Sequence, residues 1–248
     1  MEQRTAEWLD KDKVNTEYHE RQFLEPYRST IAFCDWLETE LLMSPESELR
    51  VVDLCSGTGA NIYHLSKRYP KSTFVGVDIN PDNVERGNAF FQSRGIGECR
   101  LEVGDIYNLD PKYVSEFDGV VSFQSLMALP KGEGPLRAMA KLAPQWIALT
   151  SLFYDGPVSC TIDITEYDAG LEPNRSGFYN VYSLPVTRKH MQANGYGDFR
   201  FTPFEIDVDL PKYREGLMST FTEKLEDGRR LQISGPLLMP WYFIAATR

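Results

Sequence analysis

The chain of 248 residues has only four cysteines and three histidines, and no two cysteines are spaced as C-x-x-C. A structural zinc site needs a cluster of such ligands, so the sequence predicts no metal site. Cys34, Cys55, Cys99 and Cys160 are widely separated in the sequence. We therefore expect small core side chains in a reducing compartment rather than disulfides.

The sequence also lacks a run of about 18 apolar residues that could span a membrane. Its first residues, MEQRTAEWLDKDKV, contain no apolar stretch typical of a signal peptide, so we expect a cytoplasmic location. Basic residues are in the minority, with 26 Lys and Arg against 36 Asp and Glu, for a net charge of −10. Binding to a nucleic-acid backbone relies on Lys and Arg, so this balance disfavours a nucleic-acid partner.

The sequence does have the hydrophobic content of a globular domain, 42%, and short apolar strands that alternate with helix-length segments. Strands are predicted at 50–54, 73–78, 100–103, 117–123, 146–150, 199–208 and 241–246. Strands separated by helices predict an α/β fold, with a parallel sheet covered on both faces. We interpret 1–248 as one domain whose cofactor-binding core is 50–150.

Three segments fall outside this alternation. Residues 1–45 are predicted to form an N-terminal helical cap, and residues 152–184 show no clear periodicity. Residues 209–236 include a predicted hairpin around 226–228. Long irregular segments in a compact domain are usually functional, so 152–184 and 209–236 are predicted to be substrate-side insertions. The cap helix is predicted from a helical repeat of apolar residues: Leu24, Tyr27, Ile31, Cys34, Leu37 and Leu41.

One segment of the sequence contains a candidate ligand-binding motif. Residues 51–61 read VVDLCSGTGAN, a strand that runs into a glycine turn and then a helix. Gly57 and Gly59 allow a sharp turn and a close approach of a ligand to backbone N–H groups. Asp78 ends the next strand, where a carboxylate can accept hydrogen bonds from both hydroxyls of a ribose. The combination predicts a nucleoside-binding site.

Three nucleoside ligands compete for this arrangement. A phosphate-binding NTPase loop is disfavoured, because no lysine follows the glycines at the required spacing. A dinucleotide site prefers a third glycine where this chain has Ile62, which hinders the close helix approach that a pyrophosphate needs. A nucleoside without phosphate is favoured, and the dinucleotide enzyme stays an alternative.

These motifs resemble those of the class I S-adenosylmethionine-dependent methyltransferases. Residues 53–59 are similar to the family's first motif, with Cys55 in place of the first glycine. Residues 75–80, 104–106 and 117–124 resemble the second, third and fourth motifs in order. The resemblance implies a Rossmann-like, doubly wound sheet of seven strands, six parallel and the last antiparallel, with helices on both faces.

The resemblance also implies S-adenosylmethionine as the cofactor. Asp78 would hold the ribose, Ile79 would pack on the adenine, and Asp105 would contact the adenine amino group. Arg28 in the cap is a candidate partner of the methionine carboxylate. The full predicted set of cofactor residues is Asp53, Ser56, Gly57, Gly59, Asn61, Asp78, Ile79, Asp105, Ile106, Phe123, Gln124, Tyr27 and Arg28.

The expected activity is methyl transfer to oxygen or nitrogen of a small polar acceptor by in-line displacement, which depends mainly on alignment. No residue is identified as a base. The family's nucleic-acid base enzymes often carry a proline–aromatic signature after strand four, and SFQS at 122–125 does not match it. Candidate substrate residues are Tyr18, His19, Tyr154, Glu166, Tyr179, Asn180 and Tyr182.

Two other functions stay open. One is a protein that binds S-adenosylmethionine without turnover, and the other is an NAD-dependent oxidoreductase. The sequence does not indicate an oligomeric state.

Overall fold

The computed structural model describes residues 21–212 and 219–248, so Tyr18 and His19 lie outside the described residues. The helices are α1 (Arg28–Thr39), α2 (Ala60–Arg68), α3 (Pro81–Ser93), α4 (Glu133–Lys141) and α5 (Leu184–Ala193). The strands are β1 (Arg50–Leu54), β2 (Thr73–Asp78), β3 (Cys99–Val103), β4 (Gly119–Phe123), β5 (Trp146–Tyr154), β6 (Asp163–Tyr167), β7 (Pro173–Phe178), β8 (Tyr182–Ser183), β9 (Asp198–Pro203), β10 (Thr220–Lys224), β11 (Arg230–Ser234), β12 (Leu237–Leu238) and β13 (Trp241–Thr247).

The central sheet has the order β3–β2–β1–β4–β5–β13–β9. Neighbouring strands from β3 to β5 pair in parallel, and β13 is antiparallel to both β5 and β9. The predicted α/β sheet with an antiparallel last strand is therefore confirmed. One strand of this central sheet was not predicted. The short β8 pairs in parallel with the end of β5, which makes the sheet eight-stranded.

Helices cover both faces of the sheet, because successive side chains of a strand point to opposite faces. In β4, Val120 packs into a cluster with Met139 of α4 and Met191 of α5. The next residue, Val121, packs into a second cluster, which includes Phe33 of α1. Residues of α2 and α3 belong to that same cluster. Burial of each large apolar side chain stabilises the fold by about 1.5–3 kcal/mol.

The cap helix α1 is confirmed, but its predicted apolar stripe is partly wrong. Leu24 and Leu41 lie beyond the helix ends and are 81% and 90% exposed, and Ile31 is 45% exposed. The buried face is centred on Phe33, whose ring meets that of Phe123 edge-to-face at 5.1 Å. The buried face of α1 also includes Ser29 and Thr30 in its first turn. A search for apolar residues at helical spacing does not find them, because they are polar.

The first insertion contains more regular structure than the sequence predicted. Strand β5 continues to Tyr154, and β6 and β7 form an antiparallel hairpin. The inward positions of this hairpin mix the apolar Ile164 and Phe178 with Glu166, Arg175 and Gly177. Hydrophobic alternation is therefore absent, and periodicity could not reveal the strands.

The predicted hairpin of the second insertion is confirmed. β10 and β11 pair antiparallel with Lys224 opposite Arg230, which places the turn at 225–229. β12 adds a third strand to this small sheet. The predicted strand at 199–208 is shorter than expected and ends at Pro203.

The four cysteines are free thiols. Cys34 and Cys99 are buried as expected, and burial raises the pKa of the Cys99 thiol to about 11. Cys55 is only partly buried. Cys160 is exposed in the first insertion, so the expectation of a core role is wrong for this residue.

Replacement of Gly87 by alanine should destabilise the protein. A Cβ at this position of α3 would lie 2.3 Å from the Thr58 carbonyl oxygen and 2.2 Å from a Leu101 methyl carbon. Gly→Ala within a helix ordinarily stabilises by up to about 1 kcal/mol. Here we expect the free energy of unfolding in urea to fall by about 1–3 kcal/mol, because the helix must move off the glycine loop.

Gly97→Ala is the matched control, since no heavy atom lies within 4 Å of its added Cβ. Its free energy of unfolding should stay within about 0.5 kcal/mol of the wild type. A Gly87→Ala variant as stable as the wild type would contradict the close packing of α3 on the loop.

Candidate functional site

The glycine loop joins β1 to α2 at the carboxyl edge of the sheet. Gly57 and Gly59 have positive φ angles of 57° and 82°, which permit the sharp turn into the helix. The Cys55 amide donates to the Val77 carbonyl oxygen at 2.8 Å and ties the loop to β2. Cys55 itself has a φ of 64°, the left-handed conformation that glycine adopts most easily. This explains why the related motif has glycine there, and why the loop still closes with cysteine.

Asp78 lies at the centre of this edge and is only 6% exposed. Its Oδ2 accepts the Gly57 amide hydrogen at 2.8 Å, and its Oδ1 accepts that of Asn80 at 3.0 Å. Asn80 is the N-cap of α3, and its side chain accepts from the Asp82 amide. Each carboxylate oxygen has more than one lone pair, so Asp78 can also accept from a ligand. Ile79 follows it, half-buried.

Asp53 is wholly buried beneath the loop, and neither carboxyl oxygen has a hydrogen-bond partner among the described residues. Burial raises the pKa of Asp53 well above its usual range, and the charge of Asp78 adds to the effect. The hydroxyls of Ser56 and Thr58 are also buried without a partner in the described part of the chain. Such groups cost free energy until a polar ligand bonds to them. They fit the polar groups of S-adenosylmethionine.

The end of β3 lies beside Asp78, because the Gly104 amide donates to the Asp78 carbonyl oxygen at 2.9 Å. Asp105 shapes the following turn, with its Oδ1 accepting from the Tyr107 amide at 2.9 Å. Ile106 is buried. The structure therefore brings the three predicted motif acids, Asp53, Asp78 and Asp105, to one edge.

The cap helix α1 is tied to this edge by side-chain hydrogen bonds. Thr30 donates to Asn61 Oδ1 at 2.9 Å, and Gln124 Nε2 donates to Ser29 Oγ at 3.0 Å. Asn61 and Gln124, both predicted cofactor residues, thus connect the cap to α2 and to the end of β4. Phe123 instead points into the core beneath the cap, where it is 8% exposed.

Arg28 bonds to a residue that sequence reasoning missed. Its Nη1 lies 2.8 Å from Asp207 Oδ2, and both side chains are exposed. Asp207 belongs to the irregular segment after β9, and no motif marks it. A ligand carboxylate at Arg28 would therefore compete with Asp207. Tyr27 begins α1, and its hydroxyl accepts from Gln22 at 3.1 Å.

Two predicted substrate residues bond to the chain itself. Asn180 donates to the Leu129 carbonyl oxygen at 2.8 Å and accepts from the Ile162 amide at 3.0 Å. The Tyr182 hydroxyl donates to the Leu126 carbonyl oxygen at 3.1 Å. Both side chains therefore fix the segment that follows β4, through its backbone carbonyl groups.

The other substrate candidates lie above the end of β5. Tyr154 is exposed, while Tyr179 packs against a small cluster that contains Trp241. Glu166 has one carboxylate oxygen buried and unpartnered among the described residues. Gln232 and Trp241 were not predicted, yet each also has a buried unpartnered polar atom in the described structure. No motif could have revealed them, since they converge only in the folded chain.

Within residues 21–212 and 219–248, no cluster of three or more His, Cys, Asp or Glu residues could hold a metal ion. Nor does any helix in these ranges have the length and apolar character needed to cross a membrane.

Part of the chain is similar to known proteins. Residues 45–151 match a family described as a methyltransferase domain. A curated but uncharacterized protein of Rickettsia prowazekii, RP028, is 31% identical over 77 residues, which are 31% of this chain and 30% of that protein. This chain therefore matches less than a third of that relative's length.

Solved structures share the fold. The N-terminal domain of EvdMO1, solved with SAH bound, is 13% identical, with a TM-score of 0.56 over 91% of this chain and 84% of that one. The YcgJ protein from Bacillus subtilis is 15% identical, with a TM-score of 0.54 over 90% of this chain and 99% of that one. At these identities the likeness shows the fold. The family match adds that residues 45–151 are similar to a methyltransferase domain.

The buried Asp53 should make stability depend on pH. Because its pKa is raised in the folded state, the folded protein holds the proton more tightly than the unfolded chain. Stability is therefore fully present below about pH 4, the ordinary range of Asp, and is lost as pH rises through the raised value. Without cofactor, the melting temperature of the wild type should fall relative to Asp53→Asn as the pH increases from 4 to 8.

Asp155→Asn, which removes an exposed carboxyl, is the control and should follow the wild type across this range. Parallel melting curves for the wild type and Asp53→Asn would contradict the assignment of a raised pKa to Asp53.

Proposed function

We propose that this protein uses its class I methyltransferase domain to transfer a methyl group from S-adenosylmethionine to oxygen or nitrogen of a small polar acceptor. The observation that carries the proposal is the glycine turn that Asp78 holds at 2.8 Å, directly above the buried, unpartnered Asp53. A polar nucleoside ligand satisfies both features, since Asp78 accepts from ribose hydroxyls and Asp53 meets a donor.

The residues that would hold the cofactor follow the strand ends. Asp78 would accept from the ribose, Ile79 and Ile106 would pack against the adenine, and Asp105 would meet its amino group. Asp53 and the loop that follows would bind the methionine portion. When bound, S-adenosylmethionine supplies a methyl group that its positively charged sulfur has already activated.

The chain contributes alignment and exclusion of water. The cap is fixed to the edge through Thr30 and Asn61, and the two insertions lie over the ends of β4 and β5. Holding an acceptor and a methyl group in line accounts for most of the acceleration that such a reaction needs. Burial raises the pKa of Tyr179, so at neutral pH its hydroxyl donates hydrogen bonds rather than acting as a base.

A small-molecule acceptor is supported by the acidic balance and by the two insertions. The absence of a nucleic-acid partner, the cytoplasmic location and the single-domain organisation of 1–248 stay predictions from the sequence. So do the roles of the individual residues in cofactor and substrate binding.

Asp78 provides the direct test of cofactor binding. Asp78→Ala should weaken S-adenosylhomocysteine binding about a hundredfold in calorimetry, because two charge-assisted hydrogen bonds to the ribose are lost. Asp78→Asn, which keeps the shape, should lie between this variant and the wild type. Asp82→Asn changes an exposed acid four residues away and should bind like the wild type. Undiminished binding by Asp78→Ala would overturn the proposed site.

A methyl-transfer assay distinguishes the methyltransferase from a binding protein and from an oxidoreductase. The wild type incubated with labelled methyl donor and fractionated metabolites should label a small molecule. Label found only on protein or nucleic acid would contradict the proposed acceptor class. Intact S-adenosylhomocysteine binding without any transfer would instead support a binding protein, and NADH binding detected by fluorescence would support an oxidoreductase.

A further inference from the structure

The two insertions enclose a set of polar side chains, which we call the acceptor cluster. Its residues are Glu166, Arg175, Tyr179, Gln232, Ser234 and Trp241. Tyr179 lies at the base of the β6–β7 hairpin, where its amide donates to the Ile162 carbonyl oxygen at 3.1 Å. Burial raises the pKa of Tyr179, and the Ser234 hydroxyl and the charges of Arg175 and Glu166 also act on it, so these groups lie near its hydroxyl. Its ring packs against the small apolar cluster that contains Trp241.

One side of the acceptor cluster is the β6–β7 hairpin. Glu166 and Arg175 are directly opposite each other in the hairpin register, so they share a face. Arg175 Nη1 lies 4.0 Å from Glu166 Oε1, and the Glu166 side chain is only 10% exposed. Its other oxygen, Oε2, is buried without a hydrogen-bond partner in the described part of the chain. The hairpin thus presents a charge-balanced carboxylate with one unused acceptor.

The opposite side is β11 of the second insertion. Ser234 ends this strand and lies beside the Tyr179 hydroxyl. Gln232 precedes it by two residues, so both side chains leave the same face of the strand. Gln232 Oε1 is buried and has no partner among the described residues. The second insertion therefore adds another unused acceptor on the face towards Tyr179.

Trp241 connects the acceptor cluster to the cofactor edge. It begins β13 and pairs with Leu152, near the carboxyl end of the parallel strand β5. Ligands of open α/β sheets bind at this end of the strands. The ring of Trp241 packs with Met239 and Tyr179, while its Nε1–H is buried and has no acceptor in the described structure. This position is where an acceptor would approach the cofactor.

Two unused acceptors and one unused donor define the complementary ligand. Buried polar atoms without a partner destabilise a fold, so their presence on both insertions and at the start of β13 favours a ligand that bonds to them. A hydroxyl both donates and accepts, and can therefore serve Glu166, Gln232 and Trp241 alike. An ammonium only donates, and Arg175 already balances the Glu166 charge. The apolar faces of Tyr179 and Trp241 suit the C–H groups of a saturated ring.

We propose that the acceptor cluster binds a neutral, polyhydroxylated ring, a sugar or cyclitol, as the acceptor of the methyl transfer proposed above, on which this inference rests. Two neighbouring hydroxyls donate to Glu166 Oε2 and Gln232 Oε1, and one hydroxyl oxygen accepts from Trp241 Nε1. The unused atoms are closed off from water, so the side chains around them move aside to admit the ring.

The test is saturation-transfer NMR on the full chain with S-adenosylhomocysteine bound. The probes are myo-inositol and the methyl glycosides of glucose, galactose, mannose, xylose and rhamnose. Cyclohexylamine is the cationic comparison. We expect saturable binding of at least one polyol. Glu166→Gln and Gln232→Met should each weaken it about tenfold, the loss of one buried hydrogen bond.

Glu226→Gln removes an exposed acid from the tip of the second insertion and should leave polyol binding unchanged. Calorimetry with S-adenosylhomocysteine separates the two proposals. If the wild type binds this cofactor product but no polyol, or binds only cyclohexylamine, the inference is overturned while the proposed function stands. Equal polyol binding by both cluster variants and the wild type would also overturn it. Absent S-adenosylhomocysteine binding would defeat the proposed function itself.

Discussion

The hydrogen bond from the Gly57 amide to the Asp78 carboxylate holds together the part of the molecule on which the rest depends. It forms because β1 and β2 are parallel, with Leu54 opposite Val77, so that the turn after β1 comes down beside the end of β2. The bond fixes the orientation of the carboxylate and the path of the glycine loop together. Asp53, near the end of β1, is buried with both carboxyl oxygens unpartnered among the described residues.

This edge of the sheet is electrostatically negative. Burial raises the pKa of the Cys55 thiol well above its usual range, and the charges of Asp78, Asp53 and Asp105 raise it further. Acids gathered in a poorly solvated place repel one another, and a cationic ligand relieves that repulsion. S-adenosylmethionine carries positive charge at its sulfur and its amino group. The carboxylates at this edge therefore suit the cationic ligand of the proposed function.

Much of this edge could be predicted from the sequence. Strands β1 and β2 were predicted with their observed limits. These features depend on local pattern: buried apolar runs, glycine at a turn, an acid at a strand end. The pairing of Arg28 with Asp207 joins residues 179 positions apart, and no local pattern contains it.

The first insertion was predicted as irregular because its hairpin lacks the pattern from which strands are predicted. A strand is recognised when apolar residues alternate with polar ones, but β6 and β7 have Glu166 and Arg175 at half-buried positions. Polar side chains at such positions stabilise a fold less than apolar ones do, but they can form hydrogen bonds to a ligand. Gln232 and Trp241 could not be predicted for a related reason. Whether a polar atom is buried without a hydrogen-bond partner depends on the folded chain, and no local sequence pattern contains it.

A crystal structure of the protein with S-adenosylhomocysteine tests the central claim most directly. The account predicts both ribose hydroxyls within hydrogen-bonding distance of the Asp78 carboxylate, with the sulfur facing the acceptor cluster around Tyr179 and Trp241. Density for the ligand at another place, or a ribose whose hydroxyls are out of hydrogen-bonding reach of Asp78, would contradict it.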